Sequence, residues 1–368
     1  MSAAVRADAH ALLRAIHASC RHPWALMEVC GGQTHALLHH GIDQLLPPQL
    51  TLIHGPGCPV CVTACERIDQ AIALAEQAGV ILCSYGDMLR VPGSDGRDLL
   101  SVRARGGAVR IVYTPLDVLA VAEAHPQQRV VFLAVGFETT APATALLALR
   151  ALQTDQHNLE LLIGHVRLPP MLDHLLGNPD CRVQAVLAAG HVCTVMGTSE
   201  YQPLVERHHR PVVITGFSPV ALLRGILGAI RQLEAGHCQL ENAYQEAVRP
   251  NGNRGSQALL ERVFEPVSTQ WRGLGAIPGG GYRLRAPFDR LTATCPARTP
   301  GAWQPPVEPC LAGAVLQGLI TPRQCPHFGT RCSPDHPLGA PMVSSEGACA
   351  AYHRYGSGAA PRLSSGRR

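Results

Sequence analysis

A chain of 368 residues that is 46% hydrophobic, 16% charged and 4% aromatic is too long for one compact core and calls for an aliphatic interior of layered helices and sheets. Its formal charge of +4 includes no long basic run with interleaved aromatics, so no nucleic-acid partner is expected. The apolar stretch 130–152 is broken by Glu138, Pro142 and Arg150, and Arg6, Asp8 and Arg14 interrupt the N-terminus, so neither a membrane span nor a secretory signal is expected.

Along the chain, ALMEVC (25–30), LTLIHG (50–55), VILCS (80–84) and VRIVY (109–113) have the near-continuous apolar character of parallel strands covered on both faces. Ile68, Ala71, Ile72, Ala75 and Ala78 predict a helix over 63–78, opened by a Thr63/Glu66 capping box and stopped by Gly79. A second series of strands follows, RVVFLAVGF (129–137), LELLIGHV (159–166), VQAVLAAGHV (183–192) and PVVITGF (211–217), with helices over 141–152 and 220–233. Ligands gather at the carboxyl ends of open parallel sheets, which makes the strand-end residues Glu138, Thr139, His165 and His191 candidates for a cleft.

Beyond 236 a helix is predicted over 240–248. The glycine- and proline-dense PNGNRGS, GLGAIPGGGYRLR and CPARTPGAWQPPVEPC then read as irregular structure that needs staples. The predicted architecture is α/β: two similar parallel-sheet domains, 1–127 and 128–235, with a cleft between them, then a loop-rich, helical domain over 236–355 and a disordered tail, 356–368.

Fourteen cysteines in a chain read as cytoplasmic suggest metal or redox chemistry rather than a disulfide framework. Cys58 and Cys61, in GPGCPVCVTACE, sit between a strand and a helix, where a pair at this spacing can close a disulfide; half of a zinc knuckle or a structural pair is the other reading. Cys65 reads as a small packed side chain one helical turn beyond Cys61. Cys30 opens CGGQTH at a strand end, where Gly31 and Gly32 favour an exposed, ligand-binding thiolate over a core cysteine. His35 and His39 have the spacing of a helical metal pair but lack a third ligand and read as a solvated face. Cys325, Cys332 and Cys349, in a segment without a normal core, suit an iron-sulfur cluster or zinc.

Taken in order, MEVCGGQTH, HGPGCPVCVT, GFETTAP and CPHFGTRCSPDHPLGAPMVSSEGACAAYHRY resemble the HypD family of hydrogenase maturation proteins over nearly the whole chain. The resemblance implies two α/β domains and an iron-sulfur domain holding a 4Fe-4S cluster. It implies a cytoplasmic scaffold on which the iron centre of nickel-iron hydrogenase, with its carbon monoxide and cyanide ligands, is assembled. The implied partners are a small HypC-type chaperone and a HypE-type cyanide donor.

By the same resemblance Cys30 helps to hold the iron, Cys58 and Cys61 carry thiol redox chemistry, and His35 and Glu138 line the same cleft. The cluster falls on Cys325, Cys332 and Cys349. The family's usual ending carries a further cysteine where this chain has Pro341, which leaves Cys310 as first choice for the fourth ligand, with Cys295, His327 and His336 behind it. The expected role is an assembly scaffold with redox-active thiols; the rival is an iron-sulfur-dependent protein disulfide reductase.

Overall fold

The computed structural model describes residues 3–296 and 310–356. Nine of its strands lie in two wholly parallel sheets, as the aliphatic runs require. The strands are β1 (Trp24–Glu28), β2 (Leu50–His54), β3 (Val80–Ser84), β4 (Val109–Ile111), β5 (Arg129–Gly136), β6 (Leu159–His165), β7 (Ala185–Ala189), β8 (Val212–Thr215), β9 (Leu240–Asn242), β10 (Phe264–Trp271) and β11 (Gly275–Leu284). The first sheet has the order β2-β1-β7-β8-β9 and the second β4-β3-β5-β6, while β10 and β11 form an antiparallel hairpin.

This topology corrects the expected contiguous division at 127/128. The chain leaves the first sheet after β2, builds the whole second sheet, and returns after β6 to add β7 beside β1, with Met27 paired to Val186. Hydrophobic pattern reports which faces a strand buries but not which strand is its neighbour, so the return was not visible. The two crossings are fastened by the hairpin: Trp271 bridges Thr63 at the first and Gly281 bridges Val166 at the second.

Helices Ala3–Ser19 and Pro219–Glu234 cover one face of the five-stranded sheet through Ile16, Leu222, Ile226 and Ile230. Its other face packs Met27, Val29, Val186 and Ile214 against Val62, Phe137 and Trp271, so the core is continuous across the seam between the sheets. The central strand β5 is buried at seven of its eight positions, which explains its unbroken apolar sequence.

Three local expectations are also corrected. Residues 240–248 hold β9 and turns rather than a helix, because Leu240–Asn242 completes the sheet beside β8. GLGAIPGGGYRLR forms the turn and second strand of the hairpin; its glycines accommodate a bulge at Val267/Thr269 instead of breaking the strand. The Thr63/Glu66 capping box does not form: Thr63 closes the short helix Pro59–Val62, donating its hydroxyl to the Pro59 carbonyl, and the next helix begins at Cys65. The expected disordered tail lies, from residue 357 on, outside the described residues. No helix among the described residues is long and apolar enough to cross a membrane.

Candidate functional site

The carboxyl ends of the first sheet carry the thiols. Cys30 follows β1, the Cys58/Cys61 turn follows β2, His191 follows β7 and Phe217 follows β8, so parallel pairing delivers four separate sequence segments to one edge. Cys58 and Cys61 are joined as a disulfide. Cys58 precedes the helix Pro59–Val62 and its sulfur accepts the Cys61 N–H at 3.3 Å.

The two thiol segments touch through backbone. Gly31 N–H donates to the Gly57 carbonyl at 2.9 Å, and a Cβ built on Gly57 would stand 2.1 Å from the Cys30 nitrogen, so only glycine fits there. Glu28, fully buried at the end of β1, organises this turn. One carboxylate oxygen accepts from Cys30 N–H at 2.9 Å; the other lies 2.8 Å from His54 Nδ1 and accepts the Thr34 hydroxyl. Sequence reasoning passed over Glu28 and His54, although a carboxylate and an imidazole at the ends of otherwise aliphatic strands were the available signal.

The Cys30 thiol is not exposed, contrary to expectation. It is 1% accessible, and burial raises its pKa well above the ordinary thiol value. The glycine pair that was read as opening access instead lets the helix Gly31–His39 start at once and lets neighbours close in. His191 Nδ1 lies 3.5 Å from Cys30 Sγ, and burial holds its pKa down at about 4. Both shifts favour neutral partners, a thiol beside an imidazole rather than an ion pair.

His35 packs against the C-terminal lobe. Its ring meets Tyr355 edge-on at 5.2 Å and stacks on His39 at 5.6 Å, joining the helix Gly31–His39 to the C-terminal helix Ala348–Tyr355.

Glu138 follows β5 at the carboxyl end of the second sheet and reaches across the seam. Its Oε1 accepts the Leu168 N–H, at the start of helix Leu168–Leu176, at 2.9 Å, while Oε2 has no hydrogen-bond partner. Burial pushes its pKa up to about 7. An acid raised in this way holds its proton more tightly folded than unfolded, so its stabilisation is complete below about 4.5 and lost as pH rises through about 7. Glu138→Gln stays neutral and keeps an oxygen for Leu168. Urea unfolding is expected to show this variant gaining about 3 kcal/mol on the parent between about pH 4 and pH 8.

In the C-terminal lobe, burial first, and then the neighbouring Cys310, Cys332 and Cys325, push the Cys349 thiol up. Cys310 reaches this group because residue 339 is glycine; a Cβ there would lie 2.2 Å from its sulfur. Cys295 lies elsewhere, beside Arg67 and Glu160. Four soft donors in a loop-rich lobe, with Leu338 N–H donating to Cys332 Sγ at 3.4 Å, match the donor set and the N–H···S contacts of an iron-sulfur site. Their sulfurs are not drawn to coordinating spacing: no group of three or more His, Cys, Asp or Glu among the described residues is arranged to hold a metal ion.

Cys65 is separated from Cys61 by the extended residues Thr63 and Ala64 and is not one helical turn beyond it. It lines, with Cys310 and Arg272, a cavity of about 550 Å³.

Fold and site thus define a multi-thiol α/β protein in which a disulfide, a shielded cysteine and a four-cysteine lobe share one scaffold. The HypD family model, described as "Hydrogenase formation hypA family", matches residues 7–356. The chain is 44% identical over 348 residues to the hydrogenase maturation factor HypD of Azotobacter vinelandii, covering 93% of this chain and 92% of that protein. It is 44% identical over 350 residues to HypD of Escherichia coli (94% and 93% covered), and 42% identical over 337 residues to HypD of Cupriavidus necator (90% and 89%). The chain belongs to the HypD family.

Proposed function

We propose that this chain is a cytoplasmic maturation factor for nickel-iron hydrogenase, a scaffold on which iron acquires two cyanide ligands and one carbon monoxide. The observation that carries the reading is the convergence of Cys30 and the Cys58–Cys61 turn through Gly57 at one sheet edge. Cys30 supplies a soft donor for the iron cargo, jointly with a cysteine of a small HypC-type chaperone, and cyanide arrives from a HypE-type donor.

Iron binding displaces the thiol proton of Cys30, which leaves to solvent, while the neutral His191 imidazole, its Nδ1 3.5 Å from the sulfur, stays as a hydrogen-bonding partner of the site. Reduction of the disulfide by two one-electron steps from a donor such as a bound cluster would give a dithiol that holds two electrons on the turn whose backbone meets Cys30. Cys310, Cys325, Cys332 and Cys349 are the residues that would hold a 4Fe-4S cluster, which when bound supplies one-electron steps. The rival reading, a protein disulfide reductase, requires the sulfur of a protein-sized substrate to reach the pair in line, which a metal ion or an electron does not. Accessibilities of 2% at Cys58 and 0% at Cys61 speak against it.

Infrared spectroscopy of the protein purified with its chaperone tests the proposal. Bands of metal-bound cyanide and carbon monoxide are expected in the parent and absent from Cys30→Ala; bands that persist in the variant would sink the assignment of Cys30.

A further inference from the structure

Burial of Cys30 raises the question of how iron reaches it, and the answer lies in what covers the sulfur. Cys30 is 1% accessible, yet His191 beside its sulfur, and Gly32 and Phe217 next to them, are each partly exposed. Gly32 stands close to both: a Cβ there would lie 3.7 Å from Cys30 Sγ and 3.3 Å from the Phe217 ring. The Phe217 ring lies over His191 at 5.2 Å with an interplanar angle of 35°, and meets Tyr244 edge-on at 6.4 Å on another side. Tyr244 is itself seated against Gly190 and Gly216 at the ends of β7 and β8, where a Cβ would stand within 2.6 Å and 2.9 Å of its ring.

We propose that Phe217 is the access-determining residue of this site: its ring, held between His191 and Tyr244, shields Cys30 and admits small ligands while excluding bulky thiol reagents. The backbone around it is fixed, since β8 ends two residues before it and Ser218 caps the helix Pro219–Glu234 by accepting the Ala221 N–H. Movement is therefore confined to the side chain. A partly exposed ring changes rotamer without separating the two sheets or breaking a hydrogen bond. The aromatic face also keeps bulk water from the sulfur, which limits its oxidation while it is empty.

The purpose of the gate rests on the reading of Cys30 as an iron donor, but the shielding is measured on metal-free protein without its partner. Alkylation by iodoacetamide and by a maleimide carrying polyethylene glycol is followed at Cys30 by peptide mass analysis. Cys83, 0% accessible and packed in the core of the second sheet, reports any general loosening.

The quantity read is the Cys30 rate divided by the Cys83 rate. In Phe217→Ala this ratio is expected to rise at least tenfold, more for the bulky maleimide than for iodoacetamide; the milder Phe217→Leu is expected to raise it severalfold, and Phe217→Tyr to leave it unchanged. A ratio that stays at the parent value in both Phe217→Ala and Phe217→Leu, whether or not the absolute rates climb together, overturns the proposal. The infrared measurement on the iron-loaded complex fails or succeeds independently of this ratio, so a wrong gate and a wrong iron site give different results.

Discussion

Gly57→Ala is expected to lower stability by about 3 kcal/mol or more and to separate the two thiol sites. The added Cβ would meet Cys30 N at 2.1 Å, Val29 C at 2.3 Å and Cys30 Cα at 2.4 Å, all of them backbone atoms. None can rotate away. The strands on either side are locked by five parallel pairings between Trp24–Glu28 and Leu50–His54, by the Gly55 N–H to Glu28 carbonyl bond and by the Gly31 N–H to Gly57 carbonyl bond. The only relief is to lift the 55–58 turn off Cys30, carrying the disulfide with it.

Gly86→Ala is the matched control. Its Cβ would meet nothing closer than Ile111 at 3.9 Å, and a stability change within about 0.5 kcal/mol is expected. Denaturant unfolding of the two variants side by side checks the contrast; equal stability would show that the turn is free to move and that the two thiol sites are not rigidly joined.

The same contact explains how much of the site could be read in advance. Each strand's apolar run was legible because a parallel strand between helices is buried on both faces, and β1 to β8 fall on the predicted segments. The thiols were legible because cysteine has few other uses at such spacings. What escaped was long-range. Nothing in LTLIHG or VQAVLAAGHV says that β7 returns to pair with β1, yet that pairing brings His191 to Cys30. The glycines misled twice for one reason: their missing Cβ permits close approach as readily as exposure. At Gly32 and Gly57 it buried the thiol that was expected to be open, and along GLGAIPGGGYRLR it allowed a bulged strand where irregular chain was expected. Glu28 passed unnoticed because a strand-end carboxylate reads as solvated unless its partners are known, and its partners come from Cys30, Thr34 and His54.

Removing either half of the disulfide is expected to reduce hydrogenase maturation in cells to background while leaving the scaffold folded, and the pattern among variants separates chemistry from stability. Cys58 and Cys61 close a loop of only four residues, so the cross-link restrains the unfolded chain by about 2 kcal/mol. A core continuous from Met27 to Trp271 tolerates that loss. Cys58 has a second role, since its sulfur accepts the Cys61 N–H at the start of helix Pro59–Val62. Cys58→Ala loses this cap as well, at about 1 kcal/mol, whereas Cys58→Ser installs a hydroxyl that caps better than sulfur. Stability should therefore run Cys58→Ser above Cys58→Ala. Maturation should be equally absent from both, and from Cys61→Ala, because a hydroxyl cannot enter a two-electron thiol-disulfide couple. The measurement is hydrogenase activity in cells carrying each variant, set against the melting temperature of the purified protein. Activity that follows the melting temperature, with Cys58→Ser restored, would reduce the pair to a structural clasp and overturn its proposed redox role.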